Sequence, residues 1–147
     1  MNVLNKVLVP TISVLPKGVV KLFANKYIAG DKLSDAVNTV KNLNQKKLMA
    51  TIDVLGESIT EKSDAVLSKD ENIKVLNAIH TNDLDCNLSI KLTMLGLNID
   101  KEFCRDQVTE ILERAKDINR FVRIDMEDSS VTESTIKIFE ESKKRFD

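Results

Sequence analysis

Three short apolar runs, Leu48–Leu55, Cys86–Leu95 and Arg120–Met126, alternate along this chain with longer segments that repeat apolar residues at three- and four-residue steps. That alternation constrains the fold more than any other feature. Strands that alternate with helices pair in parallel through right-handed crossovers, because the chain must return to the same end of the sheet before each new strand. The predicted order is helix, strand, helix, strand, helix, strand, helix, an α/β fold. Three strands are too few for a parallel sheet covered on both faces, since its open edges would pair with something else. The chain therefore reads as a piece of a larger fold.

The helical segments follow from spacing. Leu33, Ala36, Val37, Val40 and Leu43 make Lys32–Lys46 an amphipathic helix. From Glu57 to Asn82 two helices are predicted, the first around Ile59, Ala65, Val66 and Leu67 and the second around Ile73, Leu76, Ala78 and Ile79. A break is expected near Lys69-Asp-Glu71. His80 suits a helix C-terminus, where a partial positive charge offsets the dipole. Asp100 can cap the next helix, whose buried stripe is Phe103, Cys104, Val108, Ile111, Leu112 and Ala115. Ser130 or Thr132 can cap a last helix anchored by Ile136, Ile138 and Phe139, and Lys143, Lys144 and Arg145 suit its final turn. Residues 1–30 form a lead-in, with one or two short helices punctuated by Pro10, Pro16 and Gly18. Residues 31–147 form a single, incomplete domain.

Composition removes several functional classes. The 147 residues are 42% hydrophobic, enough for one ordinary core, and a formal net charge of −1 gives no basic excess for nucleic acid. Trp is absent and aromatics are sparse, so base-stacking platforms are not expected. Cys86 and Cys104 lack CxxC spacing, and with His80 the only histidine there are too few ligands for zinc. Both cysteines are expected reduced, in packing positions of a cytoplasmic protein. No apolar run approaches the ~20 residues of a membrane span. A peripheral membrane contact through residues 3–28 is the second reading of that segment.

Charges recur where the strands end. Leu48–Leu55 finishes on Gly56 and Glu57, the second strand carries Lys91 among apolar or small residues, and the third alternates Val122 and Ile124 with Arg123 and Asp125 before Met126, Glu127 and Asp128. A single such charge is most often a solvated turn residue. One on each of three successive strands points to a shared site, because α/β folds bind ligands at the carboxyl ends of their strands. No GxGxxG or GxxxxGK[ST] loop follows any strand, which argues against a dinucleotide or P-loop site. Asp53 alone does not supply the acid cluster of a flavodoxin-like receiver domain.

Thr51-Ile-Asp-Val-Leu-Gly-Glu57, Leu88-Ser-Ile-Lys-Leu-Thr-Met-Leu-Gly96 and Phe121-Val-Arg-Ile-Asp-Met-Glu-Asp128, with the lead-in Lys26-Tyr-Ile-Ala-Gly-Asp31, together resemble the opening strands of the monofunctional proline dehydrogenase family. The resemblance covers nearly all of this chain and about half of the family's domain. It implies a partial, TIM-like (β/α)8 barrel, about its first three βα units, and FAD-dependent oxidation of L-proline to 1-pyrroline-5-carboxylate with electrons passed to a membrane quinone. By position, Lys91 matches the lysine that pairs with the substrate carboxylate. Asp125 matches the active-site aspartate beside it, and Met126 a residue that touches FAD. Glu57 matches a glutamate whose ion pair with an arginine late in the family's domain helps close the site.

Those residue types suit the chemistry. A strand-end lysine offers a compact positive charge to a small carboxylate, and a neighbouring carboxylate keeps it protonated. The flavin carries the hydride, so the protein's task is positioning and exclusion of water. Glu57 has no arginine partner of the family's kind in this sequence, and the chain is expected to be inactive by itself, as one half of a site awaiting its C-terminal counterpart. The alternative expectation is a non-catalytic half-barrel that self-associates through its open sheet edges.

Overall fold

The computed structural model describes residues 29–30, 32–56 and 59–146. The helices expected over 3–28, and Glu57, lie outside them. Two units can be distinguished, Met1–Ala36 and Val37–Asp147. The second contains α1 from Val37 onward (α1 is Leu33–Gln45), β1 (Ala50–Asp53), α2 (Lys62–Thr81), β2 (Cys86–Ile90), a 3-10 turn (Thr93–Leu95), α3 (Lys101–Asp117), β3 (Val122–Ile124) and α4 (Thr132–Phe146). The strands lie in the order β1-β2-β3 and both pairings are parallel. The expected α/β alternation is present.

Each strand is launched by the same device. Two residues after each of the first three helices the backbone turns left-handed, at Lys47 (φ 60°), Asp83 (φ 47°) and Asn119 (φ 50°). The next residue's N–H then reaches back to the helix, from Leu48 to Leu43 O (3.1 Å), Leu84 to Ile79 O (3.0 Å) and Arg120 to Ala115 O (2.9 Å). This is the Schellman arrangement, which satisfies carbonyls that a helix end would otherwise leave unpaired. Asn44 adds a side-chain stitch at the first turn: its Nδ2 donates to Leu48 O and Asp85 O, and its Oδ1 accepts from Asp85 N. The amino ends of β1 and β2 are thereby tied to α1.

The core lies between the sheet and α2 and α3. Leu76, Ile79, Leu84, Leu88, Ile90, Leu92, Leu95, Val108 and Ile111 are all fully buried. Asp100 caps α3 as its sequence position predicts, its Oδ1 accepting from Glu102 N (3.0 Å) and Phe103 N (3.2 Å). Gly96, at φ 90°, closes the 3-10 turn so tightly that a Cβ there would sit 3.0 Å from the Phe103 ring.

Three expectations need correction. No break occurs at Lys69-Asp-Glu71, and Lys62–Thr81 is one helix. Lys69 is held by Asp70 (2.7 Å) and Glu110 of α3 (2.9 Å), hydrogen bonds that raise its pKa, and Asn72 Nδ2 donates to Ser68 O within the helix. Buried polar residues interrupt the apolar periodicity there without interrupting the backbone. The second strand stops at Ile90, not Leu95, because the chain turns into Thr93–Leu95 and Lys91 falls just past the strand. The turn before α4 is formed by Asp128: its Oδ1 accepts from Ser130 N (2.8 Å), and its carbonyl accepts from Val131 N (3.1 Å) and Thr132 Oγ1 (3.3 Å).

Candidate active site

Register divides the two faces of the sheet by chemistry. Asp53 pairs with Ser89 and Ser89 with Arg123, so these three residues form a row on one face, and Thr51 with Asn87 form the row before it. Ala50, Ile52, Cys86, Leu88, Ile90, Val122 and Ile124 take the other face, which packs on the helices. Lys91 and Asp125 continue the polar face, two residues beyond Ser89 and Arg123. The polar face ends at the strands' carboxyl end, where the fold gathers its charges.

There, Lys91 Nζ is ion-paired with Asp53 Oδ2, both side chains part-buried at 29% and 27% exposure. Asp125 is paired with Arg123 Nε at 2.9 Å, and its backbone N–H donates to Ile90 O at 2.9 Å. Asp125, the aspartate expected beside Lys91, pairs with Arg123, and the carboxylate that pairs with Lys91 is Asp53 of β1. Asp125 lies at the end of the neighbouring strand, docked by its backbone to the residue before Lys91.

Glu127 locks the two loops together. Its carboxylate accepts from Thr93 N (3.0 Å) and Thr93 Oγ1 (2.5 Å), fixing the chain after β3 to the turn after β2. Met126, between Asp125 and Glu127, is 56% exposed. Its neighbours are anchored on both sides while its own side chain is open to solvent.

Sequence reasoning missed Asp53 and Glu127 as parts of this arrangement. Asp53 could have been found: Asn87, Ser89 and Lys91 alternate with Leu88 and Ile90, as Thr51 and Asp53 alternate around Ile52, and period two puts them on one face. For Glu127 no local pattern exists, because its partner is 34 residues away. Glu57 lies outside the described residues. Among the described residues no three His, Cys, Asp or Glu side chains group as a metal site. No helix among them is long and apolar enough to cross a membrane.

A groove of about 550 Å³ runs along the open edge of β3 between α3 and α4, lined by Phe121, Val122, Ile124, Phe139 and Phe146 and by Lys116, Arg120 and Arg123. Asp53, Lys91 and Asp125 do not line it. It is an uncovered sheet edge that meets the charged site only at Arg123, the partner of Asp125.

The family model described as Proline dehydrogenase matches residues 36–146. Proline dehydrogenase 1 of Bacillus subtilis subsp. natto is 40% identical over 127 residues, 86% of this chain and 42% of that protein. Proline dehydrogenase of Deinococcus radiodurans is 27% identical over 119 residues, 79% of this chain and 38% of that protein. The chain thus spans less than half the length of these relatives. Among solved structures, proline utilization A from Bdellovibrio bacteriovorus, inactivated by N-propargylglycine, superposes with a TM-score of 0.70 at 19% identity, covering 78% of this chain and 14% of that one. That likeness establishes the fold, α/β of the TIM-barrel type.

Proposed function

The chain belongs to the proline dehydrogenase family, and we propose that it supplies the strand-end part of a site for FAD-dependent oxidation of L-proline to 1-pyrroline-5-carboxylate, with electrons passed on to a quinone. The observation that carries this reading is Lys91 at the carboxyl end of the polar face, held by Asp53 and next to Asp125 on the neighbouring strand. Lys91 takes the carboxylate of proline. Asp53–Lys91 and Asp125–Arg123 are two oppositely charged pairs, with the Glu127 carboxylate beside them held by Thr93; a site that presents both signs of charge suits a zwitterion. A peripheral contact with the quinone's membrane, through the N-terminal residues, belongs to the same reading.

One described residue suits contact with the edge of a flavin. Met126 is exposed beside the site between two anchored neighbours, and Met126 is the residue that would touch FAD. The described residues offer no glycine-rich loop for a diphosphate. FAD supplies the hydride acceptor when bound. The protein's own share is orientation: Lys91 fixes the carboxylate end of the ring, Asp125 borders it, and Glu127 holds the two loops at a set spacing. Orientation of this kind lowers a barrier by several kcal/mol, about 7 or more in the best cases. The matched residues are 42% of one relative's length and 38% of another's, so the reading concerns the strand-end part of the site alone.

The test is a visible spectrum of the 147-residue chain after incubation with FAD and desalting. Retained flavin bands that Met126→Asp abolishes support the cofactor reading, and a colourless protein contradicts it for this chain. A second reading, self-association as a non-catalytic half-barrel, is favoured by one observation: Phe121 beside the open β3 edge is 69% exposed. Sedimentation across a range of concentrations checks it.

A further inference from the structure

We infer that Asp53 is the positioning residue for Lys91, fixing its ammonium at the strand ends with donors left over for a ligand. The inference rests on the reading above that Lys91 takes the carboxylate of proline. A lysine is a compact charge on a flexible four-carbon stem, and nothing in the side chain itself fixes where the ammonium points. Lys91 follows the last residue of β2, so its backbone is set by the strand while its head is not. Asp53 supplies what is missing. It is the last residue of β1, in register with Ser89 and on the same face as Lys91, and its Oδ2 accepts from Lys91 Nζ.

Two further observations separate Asp53 from an incidental surface pair. Its other oxygen, Oδ1, is buried with no hydrogen-bond partner among the described residues. The charge is thus shared with no competing donor and draws the ammonium to one place. Asp125, at the end of the neighbouring strand, is engaged by Arg123, and Glu127 by Thr93, so Asp53 and Asp125 have separate cationic partners. An ammonium has three donors and Asp53 uses one. The remaining donors, aimed by the first, are what an incoming carboxylate would meet. Asp53 therefore orients Lys91 without blocking it.

Site-resolved reductive methylation of the 147-residue chain, read by peptide mass spectrometry, tests this. Asp53→Asn is expected to speed labelling of Lys91 by about two- to fivefold, the range for a part-exposed pair, with the other lysines unchanged. Asp53→Glu should return Lys91 to near its original rate, a rescue that general loosening would not give. Unchanged Lys91 labelling in Asp53→Asn overturns the inference. Should Asp53→Asn speed every lysine alike, the wild-type chain decides: high salt must accelerate Lys91 more than exposed Lys46, because screening weakens a pair, and an equal response overturns the inference. Adding L-proline separates this claim from the one beneath it. Protection of Lys91 in the wild-type chain supports the carboxylate reading, whereas no protection alongside an intact Asp53 dependence overturns that reading and leaves the positioning role standing.

Discussion

β2 and β3 are neighbours in one sheet and each leads into a candidate site residue, yet they are held very differently. Leu88, Ser89 and Ile90 of β2 are at most 1% exposed, and Lys91 follows them directly. On β3, Val122 and Ile124 are only half-buried, Arg123 is exposed, and Phe121 beside them is 69% exposed. The difference is one of neighbours. β2 is flanked by strands on both sides and covered by α2, whereas β3 has one strand beside it and an apolar groove on the other. The Lys91 half of the candidate site therefore stands on the buried central strand, and Asp53 reaches it from the edge strand β1. The Asp125 half stands on an edge, and the Asp125 N–H to Ile90 O bond together with Glu127 and Thr93 couples the two.

Packing should expose this contrast most strongly. Leu88→Ala is expected to cost about 2–5 kcal/mol in urea denaturation, because it empties a fully buried position. Val122→Ala should cost less than about 1 kcal/mol, since a half-exposed side chain gives up little burial. Equal losses would break the comparison. Gly96→Ala comes next, at about 1–2 kcal/mol for a left-handed residue, with the crowded Phe103 ring adding to it.

The thiols sharpen the comparison through pH. Burial pushes Cys86 up to about 11 and Cys104 up to about 12. Both are thus neutral near pH 7, and native labelling by a disulfide reagent should be slow at both and slower at Cys104. An unfolded thiol ionises near 9.0, so the folded state holds its protons longer. Stability should then fall as pH rises from about 9 toward 11–12, and Cys104→Ser should flatten part of that decline. At the acid end, the Lys62 hydrogen bond and then the Phe103 backbone N–H hold Asp100 below its usual 3.8. Its contribution is present above that value and is lost as pH falls beneath it, so Asp100→Asn should make the acid limb shallower. The smallest effect is expected at Lys47, where replacing a left-handed lysine by glycine should stabilise the chain by a few tenths to about 1 kcal/mol.

The residues explain why some of this was legible in the sequence. Asp100 could be read as a cap because a cap is local: its partners are two and three residues away. The three strands were visible as apolar runs, but their ends were not. Thr93, Met94 and Leu95 look like strand continuation, and only the contact with Glu127 reveals the turn. The unbroken α2 was hidden because Ser68 and Asn72 are buried polar residues in a helix packed on more than one side. Lys91 and Asp125 stood out as charges at strand ends. Asp53 was passed over because it was weighed as a lone acid rather than as one step of a two-residue alternation across neighbouring strands.

The most direct test of the site is an L-proline titration of the 147-residue chain followed by amide NMR. Saturable shifts centred on Lys91, Asp53 and Asp125, abolished in Lys91→Met while the remaining spectrum is retained, are the expected result. No saturable shift at these residues, or shifts that persist in Lys91→Met, would contradict the account.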